Sequence, residues 1–180
     1  MPLVMDTRPA AYCVIVRDSR ILLTHFSTVT QEGKTISGWT LPGGGMEIGE
    51  QPADTAQREV YEETGYTIQI QDLIGVHARY FDRQNGSIFC ALRTVFRAEV
   101  TAGELTVEED GSTTDARWVP LKDIDSYIQP GISATQTTDN SGLKEEPTRS
   151  PSPYFLSAVI GFMGFTSARQ WAETEEGKTL

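Results

Sequence analysis

Cysteine and histidine are scarce in this chain, with two of each among 180 residues. Cys13 and Cys90 lie inside apolar, strand-like runs and have no metal-ligand spacing. That excludes a thiolate metal site and predicts buried, reduced thiols of the kind a cytoplasmic protein carries. His25 and His77 also sit in strand-like runs, away from any serine or cysteine nucleophile pattern, which leaves them structural roles. Long apolar runs are missing too. The longest, 155–165, is too short to span a bilayer and contains Gly161 and Gly164. No secretory leader is expected at the N-terminus. Basic residues are few, 15 against 25 acidic ones for a net charge of −10. They form no stripe, so double-stranded nucleic acid is excluded as a partner.

What is present suits one domain. A chain of this length buries roughly 70% of its unfolded surface in a single core. Residues 11–17 and 21–26 read as a strand pair around the turn Asp18-Ser19. The polar stretch 27–37 reads as a loop, and 39–41 as a short strand. Two long strands follow near 67–81 and 87–100, joined at Asn85-Gly86, a strong hairpin turn. In the second, Ile88, Cys90, Leu92 and Thr94 alternate with Phe89, Ala91, Arg93 and Val95. A strand at 116–119 and a short helix at 122–127 close the pattern. Residues 129–152 shift to Ser, Thr, Pro, Gly and Asn and read as a flexible loop or linker. Residues 153–174 carry a weak apolar pattern, read as a C-terminal helix docking on the domain or on a partner copy. No internal repeat is visible. Mixed strands with helices on both sides predict an α/β fold, an α/β/α sandwich around a mixed β-sheet.

The most informative segment lies between these strands. A glycine turn, Leu41-Pro42-Gly43-Gly44-Gly45, leads into a helix opened by Pro52 and stopped by Gly65. On it, Glu59, Glu62 and Glu63 are spaced i, i+3, i+4 and share roughly 100° of one face. A solvated acidic surface would explain the glutamates but neither the glycines nor Arg58. Carboxylates, turn carbonyls and water are what a hard cation such as Mg²⁺ takes as ligands. Arg58 lies one turn before Glu62 and can hold it. Metal binding accounts for more of the segment.

Written as Gly44-x5-Glu50-x7-Arg58-Glu59-Val60-x-Glu62-Glu63-x-Gly65-Tyr66, the segment resembles the Nudix box of the Nudix hydrolases. Every charged and glycine position matches. Tyr66 stands where the family has an aliphatic residue, at a position that begins the next strand and packs in the core. The flanks 38–44 and 115–121 are similar to the family's strands on either side, so the likeness runs from about residue 10 to 127.

The resemblance implies a Nudix-type α/β/α sandwich in a domain spanning 1–128, then the 129–152 linker and the 153–180 tail. It implies a Mg²⁺-dependent hydrolase, with Mn²⁺ a possible substitute, that cleaves a diphosphate bond in a nucleoside diphosphate linked to another moiety. Metal ions would be held by Glu59, Glu62, Glu63 and the Gly43 carbonyl, with Glu50 completing the outer site. Glu59 or a late-loop acid would remove the proton from water while Arg58 orients the acids. Glu108, Glu109 and Asp110 form a second acidic cluster. Alone they read as a solvated loop, but the family's late-loop acid makes Glu109 a candidate ligand. Trp39 is either a core plug or a wall of the substrate site next to Gly44. Arg79, Tyr80 and Arg93 are candidates for gripping phosphate or stacking on a base, beside simpler surface or core roles. A homodimer is possible and no membrane partner is expected. A non-nucleotide diphosphate as substrate, or a nucleotide-sensing module that does not cut, remain as alternatives. The family's isopentenyl diphosphate isomerases are disfavoured for want of their cysteine context. The proline associated with ADP-ribose pyrophosphatases is absent, and Tyr80 is near but not at the offset associated with dinucleoside polyphosphate hydrolases.

Overall fold

The computed structural model describes residues 5–29, 33, 35–82, 87–107, 111–127, 153–164 and 168–178. They form strands β1 (Met5–Arg17), β2 (Arg20–Val29), β3 (Thr35–Thr40), β4 (Gly43–Gly45), β5 (Thr67–Asp82), β6 (Ile88–Ala102) and β7 (Thr113–Pro120). Helices α1 (Pro52–Thr64), α2 (Pro153–Phe162) and α3 (Ala168–Lys178) accompany them, with a 3-10 helix at Leu121–Ser126. The sheet is mixed, in the order β3-β2-β1-β6-β5, with β4 paired to β1 and β7 to β2.

β1 is the centre of this arrangement. It runs parallel to β6 from Met5↔Ile88 to Ile15↔Ala98 and antiparallel to β4 at Ala10↔Gly45 to Tyr12↔Gly43. A strand covered on both faces needs apolar residues at every position, and Ala-Ala-Tyr-Cys-Val-Ile at 10–15 supplies them. Alternation sorts them into two cores. Ala10, Tyr12 and Val14 pack with Ile21, Leu23, Phe155, Leu156, Val159, Ile160 and Trp171, from α2 and α3. Ala11, Cys13 and Ile15 pack with Leu22, Ala56, Val60, Tyr66 and Ile68, under α1. Helices therefore cover both faces, which is the α/β/α sandwich. Both cysteines are buried and free, and burial pushes the Cys13 thiol up to about 12.

Three expectations change. The stretch 27–37 is not a loop throughout: β2 continues to Val29 and β3 begins at Thr35, with Ser27↔Ser37 and Val29↔Thr35 in register. Cross-strand pairing there overrides a polar composition. The tail forms two helices rather than one, since α2 stops at Phe162 and Gly164 adopts a left-handed φ of 86°. The short helix after β7 is a 3-10 helix that begins one residue earlier than expected. The Asn85-Gly86 turn, the 108–110 acids and the 129–152 linker lie outside the described residues. Among those described, no helix is long and apolar enough to cross a membrane.

The β1–β2 turn places Asp18 at φ 51° and Ser19 at φ 54°. Two consecutive left-handed residues match the twist of a tight hairpin, and glycine is preferred at the second position. Serine pays a Cβ penalty of about 1 kcal/mol in that conformation. Part of the gain from glycine is cancelled by the freer unfolded chain. Ser19→Gly is therefore expected to stabilise the protein by about 0.5 kcal/mol, seen as a higher midpoint in urea. A lower midpoint would contradict it.

Candidate active site

α1 is built for a fixed start and stop. Pro52 stands in its first turn, and the Gln51 N–H donates to Asp54 Oδ2 at 3.2 Å. Gly65, at φ 71°, ends it with its N–H on the Tyr61 carbonyl at 2.8 Å. Thr55, Ala56 and Val60 point into the core beneath the sheet. The opposing wall is the glycine strand β4, and a side chain on each of its three glycines would meet a different neighbour. A Cβ on Gly43, whose φ is 141°, would lie 2.6 Å from the Tyr12 Cα. One on Gly44 would lie 2.5 Å from the Glu59 Cδ, and one on Gly45 would lie 2.7 Å from the Arg8 Nη2. The helix carboxylates thus approach the turn as closely as backbone allows.

Arg58 ties helix and turn together. Its Nε and Nη2 donate to Glu50 Oε1 and Oε2 at 2.6 and 3.0 Å, a bidentate grip. Nη2 also reaches the Gly45 carbonyl at 3.1 Å, and Nη1 donates to Glu59 Oε1 at 2.9 Å and Glu62 Oε2 at 3.0 Å. Glu50 further accepts from the Glu47 N–H at 2.8 Å and the Thr55 hydroxyl at 2.7 Å. Arg58 first, with these donors, holds its carboxyl down to about 2. The same contacts raise the Arg58 guanidinium further above its usual range.

The three glutamates that share a helix face occupy different depths. Glu62 is the outermost, its side chain 46% exposed, and Glu59 is partly covered. Glu63 is buried beneath the turn, accepting from the Gly43 N–H at 2.9 Å and the Thr113 hydroxyl at 2.6 Å, with Thr24 at 3.5 Å. Burial raises the Glu59 carboxyl despite Arg58, and lifts Glu63 to about 7 against those donors. Among the described residues no three carboxylates meet at coordination distance, and Glu50, Glu59 and Glu62 are instead each bonded to Arg58. Glu109 lies outside the described residues.

The proposed substrate contacts separate. Trp39 is partly buried, packed edge-on by His25 at 5.1 Å and Tyr127 at 5.3 Å, with the Arg117 guanidinium 5.2 Å from its ring. It belongs to an aromatic cluster at the β2–β3 end. Arg93 is buried, hydrogen-bonded to the Tyr12 phenol and to His77 Nδ1 at 3.4 Å. In the β5–β6 register His77 opposes Arg93 and Arg79 opposes Ala91, so Arg79 shares that face. Tyr80 opposes Cys90 and points to the opposite face, where it is 61% exposed. Tyr80 is not brought to the arginines. Reading the sequence missed Thr24, Thr113, Tyr12 and Arg8, none of which carries a local signal. Only the pairing of β1 with β4 and β6 reveals the last two.

Comparison with known proteins fixes the family, since the profile described as NUDIX domain matches residues 6–136. The chain belongs to the Nudix hydrolase family. A Caenorhabditis elegans protein named "Putative nudix hydrolase 1" is 31% identical over 59% of this chain and 26% of its own length. The chain thus spans about a quarter of that relative. A Bacillus subtilis (strain 168) protein named "Putative 8-oxo-dGTP diphosphatase" is 30% identical over 70% of this chain and 74% of its own. The crystal structure of a MutT Nudix hydrolase from Burkholderia pseudomallei is 31% identical. It superposes with a TM-score of 0.51 over 64% of this chain and 84% of that one. The Nudix position that departs from the box, Tyr66, is 6% exposed, and its hydroxyl accepts from Trp118 Nε1 at 3.1 Å. A larger residue fits because it finds a polar partner.

Two outcomes follow from this geometry. Gly44→Ala meets the movable end of Glu59, whereas Gly43→Ala meets backbone at a left-handed φ. The first is expected to leave unfolding within about 1 kcal/mol of wild type, and the second to cost about 2 kcal/mol or more. Chemical denaturation of both variants decides it, and equal losses would refute the distinction. The second outcome concerns pH. The Glu63 carboxyl ionises near 4.5 when unfolded and near 7 when folded. Below that window both states hold the proton, and above it the folded state bears a buried charge. Metal-free protein is therefore expected to lose stability as pH rises from 4.5 to 7. Glu50 acts below that window, since its folded value is about 2. Melting curves in EDTA should show a shallower decline in the Glu63→Gln variant, the raised Glu59 carboxyl supplying the remainder, and parallel curves would refute it.

Proposed function

We propose that this chain is a Mg²⁺-dependent hydrolase that cleaves the diphosphate bond of a nucleoside diphosphate linked to another moiety. The supporting observation is the charge balance around Arg58. Glu50, Glu59, Glu62 and Glu63 surround the glycine turn with one guanidinium among them, and that guanidinium is committed chiefly to Glu50. The surplus carboxylates are hard oxygen donors of the kind a divalent cation takes, and the Gly43 carbonyl would add another. Glu59, Glu62 and Glu63 are the residues that would hold it, and Mn²⁺ fits the same donors. Bound Mg²⁺ supplies neutralisation of charge developing on the phosphate oxygens and an acidified water as nucleophile.

The chain's own groups do the rest. Burial raises the Glu59 carboxyl, which brings its proton affinity nearer to neutral pH and suits it to accept a proton from water. Arg58 fixes Glu59 and Glu62 from one nitrogen, so the two carboxylates are oriented before substrate arrives. Glu50 serves as the anchor of Arg58 rather than as a ligand, since the guanidinium, the Glu47 N–H and the Thr55 hydroxyl already bond it. The name of the Bacillus subtilis relative supports a nucleotide substrate. Residues 1–128 would form the catalytic domain. The tail helices, whose Phe155 and Trp171 share its core, would close its second face.

Turnover of nucleotide sugars, dinucleotides, nucleoside triphosphates and coenzyme A with and without Mg²⁺, both products identified, tests this reading. Glu62→Gln keeps helix propensity and removes one ligand, so kcat/KM is expected to fall at least about 10²-fold with little change in melting temperature. Near wild-type turnover in that variant overturns the ligand assignment. Nucleotide binding without Mg²⁺-dependent cleavage overturns the hydrolase in favour of a sensing module.

A further inference from the structure

Arg93 is 4% exposed, and the groups around it are poor company for a buried charge. It donates to the Tyr12 phenol and to His77, and its guanidinium lies 5.0 Å from the centre of the Phe155 ring. These partners are neutral. Burial makes its proton easier to lose, Tyr12 opposes this, and Arg79 and Arg8 add to the effect of burial. A buried cation is normally matched by a carboxylate, and here its bonded partners among the described residues are a phenol and an imidazole.

Register explains how they meet. Ala91 is flanked by Arg8 on β1 and Arg79 on β5, while Arg93, two residues on, is flanked by Ala10 and His77. All six side chains are on one sheet face, so two alanines form a floor between three arginines. Asp6, two residues before Arg8, adds one carboxylate on that face and has a partner of its own. Arg79 likewise has a partner of its own, and among the described residues the register brings three guanidinium groups and one carboxylate to this face. Phe155 of α2 closes one side, 5.0 Å from Tyr12 and 5.5 Å from His77. This basic floor adjoins the acidic site directly. Gly45 would place a Cβ 2.7 Å from Arg8 Nη2, while its carbonyl accepts from Arg58.

We infer that Arg8, Arg79 and Arg93 form a second anion site, which receives a phosphoryl group of the substrate additional to the two joined by the cleaved bond. This rests on the hydrolase reading and deepens it. The acidic site engages the diphosphate through a cation, and the arginine site contacts the extra phosphoryl group directly through bidentate hydrogen bonds. Substrates bearing an additional phosphate are preferred over counterparts that lack it. Tyr12 and His77 position Arg93 and need not touch substrate.

Matched pairs differing by one phosphate test the inference: a nucleoside triphosphate and its diphosphate, NADP and NAD, coenzyme A and its dephospho form. For at least one pair, wild type is expected to favour the phosphorylated member at least tenfold in kcat/KM. The Arg8→Gln/Arg79→Gln double variant, which spares the buried Arg93, is expected to bring that ratio to within threefold of one. A second readout needs no turnover. Calorimetry in EDTA should find inorganic tripolyphosphate bound at least fivefold more weakly by the double variant than by wild type. Ratios near one in wild type for every pair, or a ratio or tripolyphosphate affinity unchanged in the double variant, overturn the inference. If no substrate is cleaved, the hydrolase reading fails while the EDTA titration still decides whether the anion site exists.

Discussion

The grip of Arg58 on Glu50 is the contact from which the rest of the site takes its shape. Glu50 belongs to the loop that leaves β4, and Arg58 to the second turn of α1. Joining them fixes the distance between the glycine strand and the helix. Once that distance is set, the remaining nitrogens of Arg58 have a defined reach, and Glu59, Glu62 and the Gly45 carbonyl fall within it. Glu50 is itself held by a backbone N–H and a hydroxyl from the first helical turn, so the anchor is rigid at both ends. Removing either partner would leave a partly desolvated charge and release two glutamates together.

That grip works because β1 offers a surface on which backbone can lie against backbone. β4 pairs with it through glycines alone, and Gly43 sits over Tyr12 with no space for a side chain. The same closeness lets the Gly43 N–H reach Glu63, so the buried carboxylate and the turn support each other. The face of β1 under α1 positions the acids, and the opposite face carries Arg8 and Tyr12 toward α2. One strand thereby serves both charged sites, and a one-residue slip in its register would exchange them.

Much of this was legible in the sequence, and the reason is local. α1 is bounded by Pro52 and Gly65, whose preferences act within a few residues, and its predicted limits of about 52–64 match the observed ones. The turn at Asp18-Ser19 and the long paired strands β5 and β6 follow likewise from short-range pattern. What was not legible depends on pairing across the chain. Residues 27–29 and 35–37 look like loop until each strand supplies the other's hydrogen bonds. Helical spacing places Glu59, Glu62 and Glu63 on one face but does not say that β2 and β7 bring Thr24 and Thr113 beneath the last of them. Trp39 beside the glycine turn reads equally as a core plug or a site wall, and its packing with His25 and Tyr127 becomes visible only once β2, β3 and the residues after β7 converge.

An acidic chain with a net charge of −10 would have to answer its own repulsion locally to take the anionic ligand proposed for it. At physiological salt, exposed charges more than about 8 Å apart are largely screened, so the global excess acts weakly on a ligand already in the cleft. Groups within contact distance are screened far less, and they decide. On one side of Gly45 the chain sets the carboxylates proposed to take a cation; on the other it sets Arg8, with Arg93 and Arg79 behind it in register. The glycine matters to the arginine side, because a side chain there would push Arg8 away. Opposite charges held a turn apart would collapse into ion pairs if their side chains could reach each other. Arg58 holds Glu59 and Glu62 on the helix side, which would leave both proposed sites capacity for a ligand that spans them.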